Sequence, residues 1–165
     1  MPGPEVNILL SLIDQAFDHK SWHGTNLKGS IRGLNSAIAS WRPSPGRHNI
    51  WEIVVHAAYW KYAVQRRLVG QKRGSFSLKG SNWFVRPLGS ASDERAWKSD
   101  VTLLIEMHHS LRAAVANLSD KSLQYVPPNS KVNNLALITG IASHDLYHAG
   151  QMQLLKRLGA LTADR

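Results

Sequence analysis

The stretch Ser143-His144-Asp145-Leu146-Tyr147-His148-Ala149-Gly150-Gln151 decides how the chain is read. Two histidines four apart on a helix lie on one face, one turn above the other. They also fall on an apolar seam, since Leu137, Ile141, His144, His148, Gln151, Leu155 and Leu158 follow at intervals of four and three. That is the period of a helix facing a bundle core, so both imidazoles point inward. A buried imidazole carries a donor and an acceptor that must both be satisfied, and a shared metal ion supplies a reason for placing two there. With eight histidines in the chain, however, one His-x-x-x-His pair arises easily by chance. The best third ligand is His56, on a seam of its own formed by Ile53, His56, Trp60 and Ala63.

Composition narrows the class. At 165 residues the chain is expected to form one domain, 1–165, large enough to bury a core without disulfide or metal staples. It has no cysteine, which excludes disulfides and thiolate ligands and makes a reducing cytoplasm the simpler home. No apolar run reaches the roughly 18 residues of a membrane span, and the first residues lack the basic region of a signal peptide. Net charge is +9, with twelve Lys or Arg between His19 and Ser92 against the single acid Glu52. Such a face attracts anions. The basic residues are dispersed and accompany no base-reading motif, so nucleic acid is not the expected partner.

In chain order, Pro4 opens an amphipathic helix (Ile8, Leu9, Leu12, Ile13, Ala16, Phe17) that is expected to stop near His23-Gly24. His19 and His23 stand outside its stripe and read as surface residues. A short helix starting at Thr25 or Asn26 follows, with Leu27, Ile31 and Leu34 inward, and Pro43, Pro45 and Gly46 then impose a turn. Asn49-Ile50-Trp51-Glu52 reads as a capping box. Glu52 stands one turn before His56, so besides capping it is a candidate fourth ligand, orienting partner or general base. The helix containing His56 runs to about Leu68 and is apolar beyond its inward seam at Val54, Val55, Ala58 and Tyr62. That surplus predicts a homodimer.

Residues 70–92 lack helical period and hold four glycines. A loop this long is usually functional, and its Trp83-Phe84 pair is suited either to close over the bundle or to anchor in its core. A third long helix begins near Ser92-Asp93-Glu94, with Trp97, Val101, Leu104, His108, Leu111, Val115 and Leu118 inward. The last runs from about Lys131 to Leu158 and stops at Gly159. His108 either lines the metal pocket or bonds within the bundle. The expected fold is all-α, a four-helix bundle with an extra short helix and a long loop between the second and third main helices.

The order Trp41-Arg42-Pro43-x-Pro45-Gly46-x-His48, then Trp51-Glu52-Ile53-x-x-His56-x-x-x-Trp60, then His144-Asp145-x-x-His148-x-x-Gln151 resembles the DinB-like, or YfiT-like, superfamily of metalloenzymes. The resemblance covers nearly the whole chain. It implies a four-helix bundle, often homodimeric, in which His56, His144 and His148 bind a divalent metal at one end. It also implies a reaction class, since the family includes transferases using low-molecular-weight thiols and an isomerase dependent on such a thiol, beside many members of unknown activity. Three neutral imidazoles suit zinc, nickel or iron, and an open fourth position makes such a site catalytic in type. A bound ion there activates water or a thiol. The chemistry expected on a small-molecule substrate is therefore hydrolysis or thiol transfer, with a low-molecular-weight thiol as co-substrate. The alternatives are a non-catalytic metal-binding or regulatory module and, less favoured, a basic nucleic-acid-binding protein. Glu52, Asp145, Tyr147 and Gln151 are the residues near enough in sequence to orient ligands or move protons.

Overall fold

The computed structural model describes residues 2–90, 93–128 and 130–163, with side chains to residue 160. Among the described residues six α-helices follow in order: α1 (Pro4–Phe17), α2 (Leu27–Ser30), α3 (Ser36–Ser40), α4 (Ile50–Leu68), α5 (Glu94–Ala116) and α6 (Asn134–Ala163). A 3-10 turn at Asp120–Gln124 precedes α6, and no strand occurs among the described residues. The four long helices close a ring, with α4 packed on α5 and α6, and α1 packed on the same two. The short helices plug one end, α2 against α6 and α3 against α4.

Local chemistry explains where the elements start. Pro4 occupies the first turn of α1, where a missing N–H costs nothing. Asn26 and Asn35 cap α2 and α3 by accepting from Gly29 N and Ile38 N. At α4 the capping box is complete, Asn49 accepting from Glu52 N and Glu52 from Asn49 N. Of the expected start of α5, Ser92 lies outside the described residues.

Several expectations about boundaries need correction. The first helix ends at Phe17 rather than near His23, and both His19 and His23 are exposed. The single short helix is two, because Gly33 adopts a φ of +76° and turns the chain between them. Gly159 does not stop the last helix, which passes through it. Its role is close approach, since a Cβ there would meet the Trp41 ring at 3.2 Å. Val54, Val55, Ala58 and Tyr62, the apolar residues of α4 expected to be spare for a homodimer contact, are all buried within the chain. Tyr62 and Tyr59 pack on Phe76, and Phe76 on Phe84, so the loop after α4 covers that face.

The apolar interior is two clusters. One contains Phe17, Ile53, Val54, Ala57, Leu104, Ala149 and Met152; the other contains Leu10, Ile13, Val64, Leu111, Ile138 and Ala142. Buried polar residues from all four long helices meet inside the bundle, with Lys61 of α4 contacting Asp145 of α6 and His108 of α5, and His108 facing Asp14 of α1. No described helix is long and apolar enough to cross a membrane.

Candidate metal centre

His56 on α4 and His144 and His148 on α6 converge. Nε2 of His144 lies 3.1 Å from Nε2 of His56 and 3.1 Å from Nε2 of His148, and the three nitrogens all lie within 4.8 Å of one another. Nitrogens sharing a tetrahedral ion at about 2.0–2.1 Å stand about 3.3–3.4 Å apart. The cluster therefore needs little adjustment to hold one.

The opposite ring nitrogens show which atom carries the proton. Nδ1 of His56 is 2.8 Å from the Asn82 carbonyl, which can only accept, so Nδ1 donates and Nε2 keeps its lone pair. Nδ1 of His148 donates to Gln151 Oε1 at 2.7 Å, and Gln151 Nε2 donates on to the Tyr147 hydroxyl at 3.1 Å. Both outer histidines are thus locked with their lone pairs facing the cluster, as metal-ligating histidines are held by outer partners. Nδ1 of His144 is buried with no partner.

Electrostatics favour the same state. Burial, against the bond His56 donates to the Asn82 carbonyl and with the charges of His148 and His48, pushes His56 down to about 4. Burial and the two neighbouring histidines push His144 down to about 3. Burial also lowers His148, partly offset by its bond to Gln151. Low pKa values keep the rings neutral at pH 7, and the Nε2 lone pairs of His56 and His148 face Nε2 of His144, an arrangement that a cation stabilises.

The loop after α4 builds the wall of this centre. Asn82 has a φ of 64°, and asparagine is among the few residues that adopt this region readily. That turn presents its carbonyl to His56 while its side-chain oxygen accepts from Trp60 Nε1 at 3.0 Å. The next residue, Trp83, lies between two imidazoles, 3.8 Å from the His56 ring and 3.5 Å from the His48 ring, nearly parallel to both. Phe84 enters the core. Trp83-Phe84 thus divides its work, one ring covering a histidine of the cluster and the other anchoring the loop.

Glu52 is brought near the centre but not into it. Its Oε1 accepts from Arg42 Nη2 at 2.9 Å; its Oε2 accepts from His48 Nδ1 at 3.1 Å and from the backbone N–H of Asn49. Burial raises its carboxyl, and the bonds from Arg42, His48 and Asn49 more than offset this, leaving it below the ordinary value. Arg42 and His48, prominent in the sequence pattern, are thus explained as the partners of the α4 cap.

Asp145 points away from the histidines. Its Oδ2 accepts from Lys61 Nζ, and burial raises its carboxyl against the opposing charge of Lys61. His108 belongs to the same layer, its Nδ1 3.5 Å from Lys61 Nζ and its ring stacked on Phe17 at 3.7 Å. Tyr147 is 64% exposed and Gln151 half-buried beside His148. Sequence reasoning missed Asn82 and Lys61. The Gly80-Ser81-Asn82 run was a turn signal for the first, and a lone lysine inside an apolar helix was a signal for the second.

The fold and the cluster together define a helical bundle with a three-histidine centre able to hold a metal ion. The chain belongs to the DinB superfamily, whose family model matches residues 21–152. No curated protein and no solved structure matches it.

Proposed function

We propose that this protein is a metal-dependent enzyme that holds a divalent ion, zinc, nickel or iron, through His56, His144 and His148, and that it acts on a small molecule as a hydrolase or a low-molecular-weight-thiol S-transferase. The observation that carries the proposal is the convergence of three Nε2 atoms, two of them with lone pairs oriented inward by protein acceptors on the far side of the ring. A divalent ion with three neutral imidazole ligands keeps its charge and an open position, and so lowers the pKa of a water or thiol that reaches it.

The chain's own residues supply the rest. Asn82 and Gln151 fix the orientation of two rings. Trp83 shields one face of His56 from water. The Tyr147 hydroxyl, exposed and tied to His148 through Gln151, is the group best placed to pass a proton at the rim. Glu52 and Asp145 are positioning residues, with carboxylates engaged by Arg42 and Lys61. Because the chain has no cysteine, a thiolate nucleophile must come from a co-substrate. Cytoplasmic location and a homodimer complete the proposal on composition and family resemblance.

The two branches separate in a cobalt- or nickel-substituted protein. A thiolate-to-metal charge-transfer band on adding a cysteine-derived thiol, with transfer to an epoxide or halogenated aromatic, supports the transferase branch; cleavage of simple esters or amides without such a band supports the hydrolase. His148→Ala loses the band and any turnover. The second reading, a non-catalytic metal module, is favoured by the Trp83 and His48 rings stacked over His56. It becomes the better account if metal-loaded protein turns over nothing across a broad panel.

A further inference from the structure

Unneutralised charge gathers where α4 ends. Arg66 and Arg67 occupy its last turn, and Gly70, with a φ of +70°, turns the chain back. Lys72 and Arg73 then join them around one cavity of about 480 Å³. No carboxylate lines this cavity, and none of the four cations forms an ion pair among the described residues. Arg66 donates from Nη1 to the Gln71 carbonyl at 3.2 Å, and its Nε is buried without an acceptor. Burial, then the charges of Arg66 and Arg73, lowers Arg67 from its ordinary value.

The helix end accounts for part of this. Cations in a last turn are favoured by the carbonyls there, which explains Arg66 and Arg67. It does not explain Lys72 and Arg73, which come from the loop and add like charge to a concave place already holding two guanidinium groups. Like charges crowded in a cavity repel unless an anion lies among them. Arg66 and Arg73 also line an adjoining cavity of about 550 Å³, walled by Tyr59, Tyr62 and Phe76 and joined by Lys79. An apolar, aromatic wall beside convergent cations is the make-up of a site for an organic anion.

We propose that this cleft binds a phosphorylated small molecule, its phosphates at Arg66, Arg67, Lys72 and Arg73 and its organic part against Tyr59 and Phe76. Four cations exceed what one carboxylate neutralises. Guanidinium groups match phosphate oxygens in pairs, which favours a di- or triphosphate over a monoanion. None of His56, His144 and His148 lines either cavity, although Arg67 also borders a smaller cavity beside His144, and binding is expected not to depend on the metal.

Calorimetry with inorganic phosphate, pyrophosphate, tripolyphosphate and a nucleoside triphosphate, at physiological salt, tests it. Affinity is expected to rise at least about tenfold from phosphate to tripolyphosphate, and further for the nucleoside triphosphate. Lys72→Gln/Arg73→Gln, both on an exposed loop, is expected to weaken tripolyphosphate by about tenfold or more without lowering the thermal melt of the free protein. The same titrations in His148→Ala protein are expected to be unaltered, which distinguishes the cleft from an anion captured by metal. Equal binding by the loop double variant overturns the proposal, as does loss of binding in His148→Ala protein. A single-stranded oligonucleotide binding more tightly than the nucleoside triphosphate also overturns it, in favour of a macromolecular surface. If the nucleoside adds nothing over tripolyphosphate, the phosphate site stands and the role given to Tyr59 and Phe76 falls.

Discussion

Lys61 on α4 donates to Asp145 on α6 where both side chains are 1% exposed. The pair ties together the two helices that carry the histidine cluster, one residue from His144 and five from His56. Breaking a buried pair leaves one uncompensated charge, which costs about 3–5 kcal/mol, whereas replacing both partners by apolar groups is often neutral. Lys61→Met alone is therefore expected to lower the unfolding free energy by about that amount, and Lys61→Met/Asp145→Leu to recover most of it. Denaturant unfolding of the three proteins decides; a double variant as unstable as the single one contradicts this account of the pair.

Acid should destabilise the metal-free protein earlier than its carboxylates alone predict. Burial, and then the charges of Lys61, His109 and Arg112, pushes His108 from 6.5 down to about 2, and Asp14 lies 4.0 Å from its other nitrogen. Between those values the unfolded chain binds a proton that the folded chain refuses. Stability is thus complete above about pH 6.5 and declines as pH falls, by at most about 1.4 kcal/mol per pH unit from this residue. His56, His144 and His148 are lowered too and act in the same direction. Melting temperatures from pH 7 to pH 5 should fall steadily, and less steeply in His108→Gln protein. A flat profile contradicts the neutral, buried assignment.

Glu52 separates a structural from a chemical role. Its carboxylate closes the α4 capping box and holds Arg42 and His48, so Glu52→Ala should cost about 1–2 kcal/mol of stability. Metal stoichiometry should stay at the wild-type value. Loss of metal from a folded Glu52→Ala protein would make the carboxylate a ligand and overturn the capping assignment.

The long helices were legible because their seams are periodic: Trp97, Leu104, His108, Leu111 and Val115 point inward on α5 as spacing predicts. His56, His144 and His148 were legible from spacing, but on α6 the expected seam is an edge of the buried face: Leu158 is exposed, whereas Ile138, Ala142, Asp145, Ala149 and Met152 are the buried line. What periodicity could not reveal is the wall of the centre. His56 is held by a backbone carbonyl from Asn82, twenty-six residues away in an aperiodic loop, and a carbonyl leaves no mark in a sequence. Lys61 sits among apolar neighbours, and its meaning depends on Asp145, eighty-four residues away. Gly159 shows the reverse limit, because a glycine required for close packing against Trp41 reads the same as one that ends a helix.

The central claim is that three imidazoles share one ion, and the most direct test is the metal content of the purified protein with and without each histidine. The account predicts close to one divalent ion per chain, and sharp loss of it in His56→Ala, His144→Ala and His148→Ala proteins that remain folded. Full retention of metal by all three variants, or a wild-type protein that takes up none from a metal-replete buffer, would contradict it.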